Sequence, residues 1–239
     1  MSMESAPAAA GDLLDGETVG EAAWRHIRAD ILAGRLAPER KLKLDALREL
    51  YGVSVSTLRE VLNRLATEGL VVAEGQRGFV VTPVSVENLR EIAELRLLLE
   101  CQALEDSFRA GDVEWEGRVV AAYHKLAAME ARMEKGDRSA LDLWKRYDWE
   151  FHQSLISACG SKVLMQLHGA AFDKYLRYQM IALSFRGDIA ADEHRSMLDC
   201  ALRRDATEAQ RFLTQHLEGG MQHALATGTI QGSNAAARG

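Results

Sequence analysis

Aspartate and histidine side chains recur at helical spacing in the second half of this 239-residue chain. Asp148 and His152 are four residues apart, so on a helix both side chains project from the same face. His194 and His216 interrupt two later stripes of apolar residues that also have a helical period. Buried polar groups are costly unless they are satisfied, and three helices that turn these groups inward would satisfy them through one shared cation.

Carboxylate and imidazole groups are ligands for several divalent metals. The four residues therefore predict a divalent metal site, with zinc as the first candidate and nickel, manganese and iron(II) as alternatives. Each histidine taken alone has a simpler interpretation, a core histidine that is held by hydrogen bonds. His168 also lies on an apolar stripe, and we do not assign it as a ligand.

An arginine falls on the buried face of the helix that is predicted to open this region. The apolar residues around Arg96 on that face are Leu89, Ile92, Ala93, Leu99 and Ala103. A buried guanidinium requires an anion. Two partners remain open, a structural carboxylate such as Glu100 and a bound carboxylate ligand.

The first third of the chain carries a second set of polar residues, on an amphipathic helix that is predicted to end near Gly69. Its apolar face consists of Leu58, Val61, Leu62 and Leu65. Its opposite face presents Val55, Ser56, Arg59 and Asn63. Arginine can bond guanine, and asparagine can bond adenine, through paired hydrogen bonds, as in helices that read the major groove of DNA. Ser54 can cap this helix, but Thr57 and Glu60 also fit a capping box.

The residues around this helix predict a winged helix-turn-helix. A short helix and a turn at Gly52 precede it, and two strands follow around a tight loop from Gly75 to Gly78. An earlier helix is expected from Val19 to Ala33. The residues predicted to contact DNA are Ser56, Thr57, Arg59, Asn63, Arg77 and Gly78.

This region resembles the DNA-binding domain of the GntR family of bacterial repressors. The similar segments are Tyr51–Leu62, Leu65–Val71 and Arg77–Val81. The resemblance implies that Arg59 and the tip of the wing meet the operator. Val55 departs from the family pattern, because many members have a second arginine there, and this leaves the operator sequence open.

The second region resembles the FCD ligand-binding domain of the FadR-like branch of that family. The similar segments are Arg96–Glu100, Asp148–Leu155, Glu193–Leu198, Asp205–Ala209 and Gln215–Leu217. The resemblance implies that Asp148, His152, His194 and His216 bind a divalent metal below a pocket for small organic acids. It also implies a homodimer that binds a palindromic operator in double-stranded DNA.

Composition is typical of a globular protein, with 47% hydrophobic and 27% charged residues. No apolar run approaches the ~20 residues of a membrane helix, and the N-terminus lacks a secretory signal. We therefore expect a cytoplasmic protein with no membrane partner and three reduced cysteines. The net charge of -6 is unusual for a DNA-binding protein, but residues 17–83 hold ten basic and nine acidic residues, so the acidic surplus lies outside them.

These features predict a mainly α fold, with an N-terminal winged helix-turn-helix and a C-terminal all-helical, FCD-like bundle. The expected segments are a disordered tail at 1–16, the DNA-binding domain at 17–83, a metal-binding, effector-binding and dimerisation domain at 84–228, and a second tail at 229–239. Six helices are expected in the bundle, at 86–109, 113–135, 138–158, 161–185, 188–204 and 206–227.

The predicted function is that of a transcriptional regulator and repressor. Its operator affinity would be controlled by a small carboxylate at the metal site, with Arg96 as an effector contact. Two alternatives remain at this point. One is a metal-dependent enzyme that activates water at the same four side chains, and the other is a direct metal sensor.

Overall fold

The computed structural model describes residues 13–182 and 185–230 of the chain. The chain divides into two compact units, with the boundary between Val84 and Ser85. Most of the two predicted tails, at 1–16 and 229–239, lies outside the described residues. In the described part of the second tail, Ile230 is buried.

The first unit is a winged helix-turn-helix. Its helices are α1 (Val19–Leu32), α2 (Leu44–Tyr51) and α3 (Val55–Thr67), and its strands are β1 (Lys41–Leu42), β2 (Val71–Ala73) and β3 (Phe79–Val81). The strands form an antiparallel sheet in the order β1-β3-β2. Strand β1 was not predicted, because a two-residue strand is too short to show a periodic pattern.

Local signals in the sequence set the ends of these helices. Thr18 and Glu21 form a capping box at the start of α1. Ser54 caps α3, since its Oγ accepts a hydrogen bond from the Thr57 amide at 3.1 Å. The alternative start at Thr57 is therefore wrong. Between α2 and α3, Gly52 adopts φ 66°, a left-handed conformation that glycine tolerates without a steric penalty.

The three helices of the first unit enclose one apolar core. Ile27, Ile31, Leu58, Leu62 and Leu65 are fully buried in it, as the helical period predicted. The core holds the buried face of α3 inward, so the opposite face of that helix is available to contact another molecule.

The second unit is an all-helical bundle. Its helices are α4 (Val86–Ala110), α5 (Val113–Glu134), α6 (Leu141–Ile156), α7 (Lys162–Ala182), α8 (Asp188–Arg203) and α9 (Ala206–Ala226). Helix α4 packs against α7 and α9, α5 packs against α6 and α8, and α8 packs against α9. The mainly α fold is thus confirmed, and the described residues of this unit contain the six predicted helices.

The predicted bounds of two bundle helices differ most from the structure. The third helix starts at Leu141 rather than at 138, because Asp137 accepts a hydrogen bond from the Ser139 amide and a short 3-10 turn replaces the first residues. The fourth helix ends at Ala182, and Phe185 is not helical. In the described residues, no helix is long and apolar enough to cross a membrane.

Candidate metal centre and nucleic-acid interface

Four predicted metal ligands meet in the core of the bundle. Asp148 and His152 come from α6, His194 from α8 and His216 from α9. A possible ligand atom from each residue lies within 4.8 Å of those of the others, and all four residues are buried. Three helices therefore supply the cluster that the sequence predicted from separate stripes.

The apolar stripes hold these polar side chains in place. Phe151 on α6, Met197 on α8 and Leu213 on α9 are fully buried beside the cluster residues of their own helices. Burying such a side chain stabilises the fold by roughly 1.5–3 kcal/mol. Rotating a helix enough to remove its histidine from the cluster would expose that apolar stripe, so the packing fixes the position of the imidazole.

Each histidine of the cluster is oriented by a glutamate. The Nδ1 contacts are His152 with Glu100 at 2.5 Å, His194 with Glu130 at 2.7 Å, and His216 with Glu193 at 2.8 Å. An ionised carboxylate accepts a hydrogen bond, which assigns the proton of each neutral ring to Nδ1. The Nε2 lone pair is then available to a metal, as in carboxylate–histidine–metal arrangements.

Two of these Nε2 atoms have no hydrogen-bond partner in the described part of the chain. They are the buried Nε2 atoms of His152 and His194, and the latter lies 3.5 Å from Asp148 Oδ1. A buried polar atom without a partner is unusual in a folded protein and calls for an explanation. A cation bound between the imidazoles and the carboxylate would satisfy these atoms, so the donor set fits a divalent metal.

The protonation states of the cluster also suit a cation. Burial lowers the pKa of His216 to about 3 and lowers that of His152, so both rings are neutral at physiological pH. Burial by itself would raise the pKa of Asp148, but His152 and Lys145 outweigh it and hold the pKa at about 2. Neutral imidazoles and an ionised carboxylate are the forms that bind metals.

Arg96 lies at the edge of this cluster in a buried salt bridge. Its Nε donates to Glu100 Oε2 at 2.8 Å, and both side chains are almost completely buried. His168 Nε2 lies 3.1 Å from the same Glu100 oxygen. Of the two partners left open for Arg96, the structural carboxylate is therefore present. Its buried Nη2 has no hydrogen-bond partner in the residues that the structure describes.

The orienting glutamates were missed at the level of sequence, and one of them had a readable signal. Glu130 occupies an apolar stripe of α5, between the buried residues Leu126 and Met133. A carboxylate at such a position requires a buried partner. Glu193 gave no comparable signal, because it is the residue directly before His194 and its direction depends on the packing of α8.

The predicted DNA contacts form a surface in the first unit. Ser56, Arg59 and Asn63 are exposed on α3, and Arg77 is exposed on the wing between β2 and β3. Gly78 closes the wing at φ 96°, next to Arg77. The structure therefore presents polar side chains on α3 and a cation on the wing for contact with a partner.

Thr57 and Arg64 lie differently from these residues. The methyl group of Thr57 lies against Gly20 on α1, since a Cβ added to that glycine would be 3.5 Å from Thr57 Cγ2. The Thr57 hydroxyl oxygen lies 2.9 Å from Ser54 Oγ. Arg64 stacks over the Trp24 ring at 3.7 Å. Thr57 is thus turned towards α1, whereas the Arg64 side chain remains exposed while it stacks on Trp24.

Comparisons with known proteins agree with both units. Residues 20–81 match the family of bacterial regulatory proteins known as the gntR family, and residues 91–219 match the FCD domain. The HTH-type transcriptional regulator BphR of Paraburkholderia xenovorans is 36% identical over 200 residues, which cover 83% of this chain and 82% of that protein. The HTH-type transcriptional repressor GlaR of Escherichia coli is 31% identical over 202 residues, which cover 81% of this chain and 90% of that protein.

A solved structure supports the same fold. The structure of a transcriptional regulator GntR from Rhodococcus sp. RHA1 superposes with a TM-score of 0.70 at 21% identity and covers 87% of this chain and 97% of that one. The chain belongs to the GntR family of DNA-binding transcriptional regulators and carries an FCD domain in its second unit. Because its relatives are regulators, the alternative of a metal-dependent enzyme is set aside.

Proposed function

We propose that this protein is a homodimeric transcriptional repressor whose affinity for a palindromic operator is controlled by a small carboxylate bound at a divalent metal. The observation that carries the effector part is the buried Asp148, His152, His194 and His216 cluster, in which two Nε2 atoms have no hydrogen-bond partner. The relative GlaR, which is 31% identical to this chain, is named a transcriptional repressor, and this supports repression as the direction of regulation.

The metal would be held by one aspartate and three histidines. Zinc is the first candidate, with nickel, manganese and iron(II) as alternatives, because all of them accept nitrogen and oxygen ligands. A ligand set of four side chains leaves room for a carboxylate oxygen on a metal that expands its coordination. Arg96 Nη2, which is buried without a hydrogen-bond partner, would donate to that same carboxylate.

The first unit would read DNA through α3 and the wing. Ser56, Arg59 and Asn63 would face base edges in the major groove, and Arg77 and the Gly78 backbone would lie against the sugar-phosphate chain. The internal contacts of Thr57 leave its hydroxyl less able to reach a base. A cytoplasmic protein with this arrangement would meet its operator directly.

A dimer would supply the second reading helix that a palindrome requires. Apolar side chains lie exposed on two neighbouring helices of the bundle, Leu95 and Leu98 on α4 and Val163 and Leu167 on α7. Apolar groups that share one surface are typical of an interface between proteins. We propose that this surface joins two copies of the bundle about a two-fold axis.

The effector would act by preferring one of two arrangements of the dimer. A ligand shifts such an equilibrium only by its difference in affinity for the two states. The carboxylate would therefore bind more tightly to the arrangement in which the two copies of α3 do not match the spacing of the half-sites.

Fluorescence anisotropy with a labelled duplex from the promoter region of its own gene tests the DNA-binding part. We expect specific binding by the wild type and a loss of about tenfold or more in affinity for Arg59→Ala, because one bidentate base contact is worth about 1–3 kcal/mol. Arg118→Ala, which removes an equal charge from an exposed position on α5, is the control. Equal binding by wild type and Arg59→Ala would contradict the proposed role of α3.

Metal analysis of purified variants tests the cluster separately. His216→Ala should lose most of its bound metal, because removing one ligand from a buried site lowers its affinity strongly. His223→Ala changes an exposed histidine on the same helix and should retain metal. Similar metal content in His216→Ala and in the wild type would exclude this cluster as the metal site.

A further inference from the structure

A buried lysine lies beside the cluster without an ionic partner. Lys145 on α6 is 5% exposed, and its Nζ donates to Gln179 Oε1 at 2.9 Å. The same Nζ lies 3.9 Å from the centre of the Trp144 ring. No carboxylate among the described residues forms an ion pair with it. Its contacts are thus an amide oxygen and an aromatic face.

A buried ammonium of this kind is costly when no carboxylate is paired with it. The burial of Lys145 lowers its pKa to about 8, although Asp148 partly offsets that effect. The side chain therefore remains largely protonated at neutral pH. Two of its three donor positions are not accounted for by the bond to Gln179.

Two more donors near this lysine lack partners in the described residues. They are the buried Trp144 Nε1 and Arg96 Nη2 atoms. Arg186 differs, because it donates to Glu193 and to the His216 carbonyl oxygen. Arg96 Nη2, Trp144 Nε1 and the two remaining positions on Lys145 Nζ are therefore donors that are available to a bound anion.

One carboxylate group cannot satisfy all of these atoms. Its two oxygens offer about four lone-pair sites, whereas the metal, Arg96 Nη2, Trp144 Nε1 and the two remaining positions on Lys145 together require about five. Leaving buried donors unsatisfied is unfavourable. A second anionic group on the same ligand would fill this position.

We infer that the effector is a dicarboxylate, with one carboxylate at the metal and Arg96 and the second at Lys145 and Trp144. This inference rests on the proposed function, because it assigns the effector class of the same site. Lys145, Asp148 and His152 project from one side of α6, at positions three, four and seven residues apart, so the two ends of the ligand would lie along that helix. Lys145 would be the residue that sets specificity for a doubly charged effector.

Isothermal titration calorimetry on the zinc-loaded full chain tests this specificity. Malonate, succinate, glutarate and adipate are each compared with the corresponding monoamide, which keeps the size and hydrogen-bonding atoms and removes one charge. We expect at least one dicarboxylate to bind the wild type about tenfold or more tightly than its monoamide, because charge-assisted hydrogen bonds are about twice as strong as neutral ones.

Variants at neighbouring positions of α6 identify the residue that carries the preference. Lys145→Met should bind the dicarboxylate and its monoamide with similar affinities, while its affinity for the monoamide stays near that of the wild type. Arg146→Met removes a cation from the adjacent exposed position and should keep the preference. If Lys145→Met does not fold, Lys145→Gln removes the charge while keeping a side-chain donor for Gln179.

The inference is overturned if the wild type binds every monoamide as tightly as its dicarboxylate, if no dicarboxylate binds, or if the neutral variants keep the preference. Failure of the proposed function gives a different pattern. In that case neither class of compound changes operator binding, and removing the metal with a chelator has no effect on the affinity for any carboxylate.

Discussion

At the scale of single residues, the cluster combines groups that are individually unfavourable in a protein core. His152, His194 and Asp148 are all buried, and each imidazole has a glutamate at its Nδ1 atom. The glutamates remove the cost of burying one nitrogen of each ring. The other nitrogen is left to the centre of the cluster, which is why the geometry suits a cation better than a hydrogen-bonded core.

The metal-free protein should lose stability on mild acidification. The pKa of His216 falls from 6.5 to about 3 on folding, because the ring is buried. Between these values the unfolded chain binds a proton that the folded protein does not, so the free energy of unfolding decreases as pH falls. The slope is about 1.4 kcal/mol per pH unit for each such proton.

Urea unfolding followed by circular dichroism, at pH values from 7 down to 4, measures this slope. Above about pH 5.5 the slope belongs to the histidines, because carboxylates with a lowered pKa, such as Asp148 and Glu193, add to it only as pH approaches their unfolded values of 3.8 and 4.5. The exposed-histidine variant His223→Ala should keep the slope, and His216→Gln should reduce it. A free energy of unfolding that is constant between pH 7 and 4 would show that the buried histidines are not neutral in the folded state.

The cluster could be predicted because its residues recur with a helical period. The hydrogen-bond partners of these residues could not be predicted. Asp148 and His152 could be assigned to one face of α6 because that face is fixed by the helix itself. The pairing of His194 with Glu130, 64 residues earlier, depends on how α5 packs against α8. Spacing in the sequence contains no information on such a contact.

At the scale of elements, the wing depends on an unusual backbone conformation. Gly78 has φ 96° and ψ -138°, a combination that is essentially restricted to glycine. Strands β2 and β3 pair on either side of a turn whose geometry this residue allows. The position of Arg77 relative to α3 therefore depends on the backbone conformation of a glycine, which is held by hydrogen bonds to Glu74 and Gly75.

Gly78→Ala should destabilise the first unit and weaken operator binding. Although an added Cβ would have open space around it, the backbone conformation would cost about 1–3 kcal/mol. Gly117→Ala is the matched control, because that helical glycine on α5 also has open space and should gain about 0.5–1 kcal/mol. Thermal unfolding of both variants gives the comparison, and a Gly78→Ala protein at least as stable as the wild type would contradict it.

The elements themselves were largely predictable. Leu58, Val61, Leu62 and Leu65 give α3 its buried face, and all are buried in the structure. The predicted start of the third bundle helix was wrong. Asp137 forms a local turn with the residues that follow it, and this turn competes with the start of a helix. Strand β1 exists only because Lys41 and Leu42 pair with β3, a contact that arises on folding.

At the scale of the whole molecule, the proposed dimer links the two functions. One α3 reads only a few base pairs, so specific repression requires two copies at the spacing of the half-sites. The exposed apolar residues of α4 and α7 are available for this contact. A dimer through the bundle would also allow a ligand bound there to affect DNA binding.

Leu98→Glu should convert the dimer to a monomer. Leu98 is 68% exposed on α4, so the variant should fold and keep its metal, but it would place a charge in the proposed interface. Val113→Glu, at an apolar position that is 76% exposed at the start of α5, should remain dimeric. Analytical ultracentrifugation measures the assembly, and a dimeric Leu98→Glu variant with normal operator affinity would exclude this surface.

The sequence by itself determined the order of the helices and of the two wing strands, the buried faces of the helices and the four residues of the cluster. These follow from the helical period, which depends on each segment and not on its neighbours. Only the tertiary structure decided that Glu100 pairs with Arg96 and His152, that Thr57 turns towards α1, and that Lys145 is buried without a carboxylate. The physical reason is that these contacts depend on the rotation and shift of one helix against another, which the packing of the complete core sets.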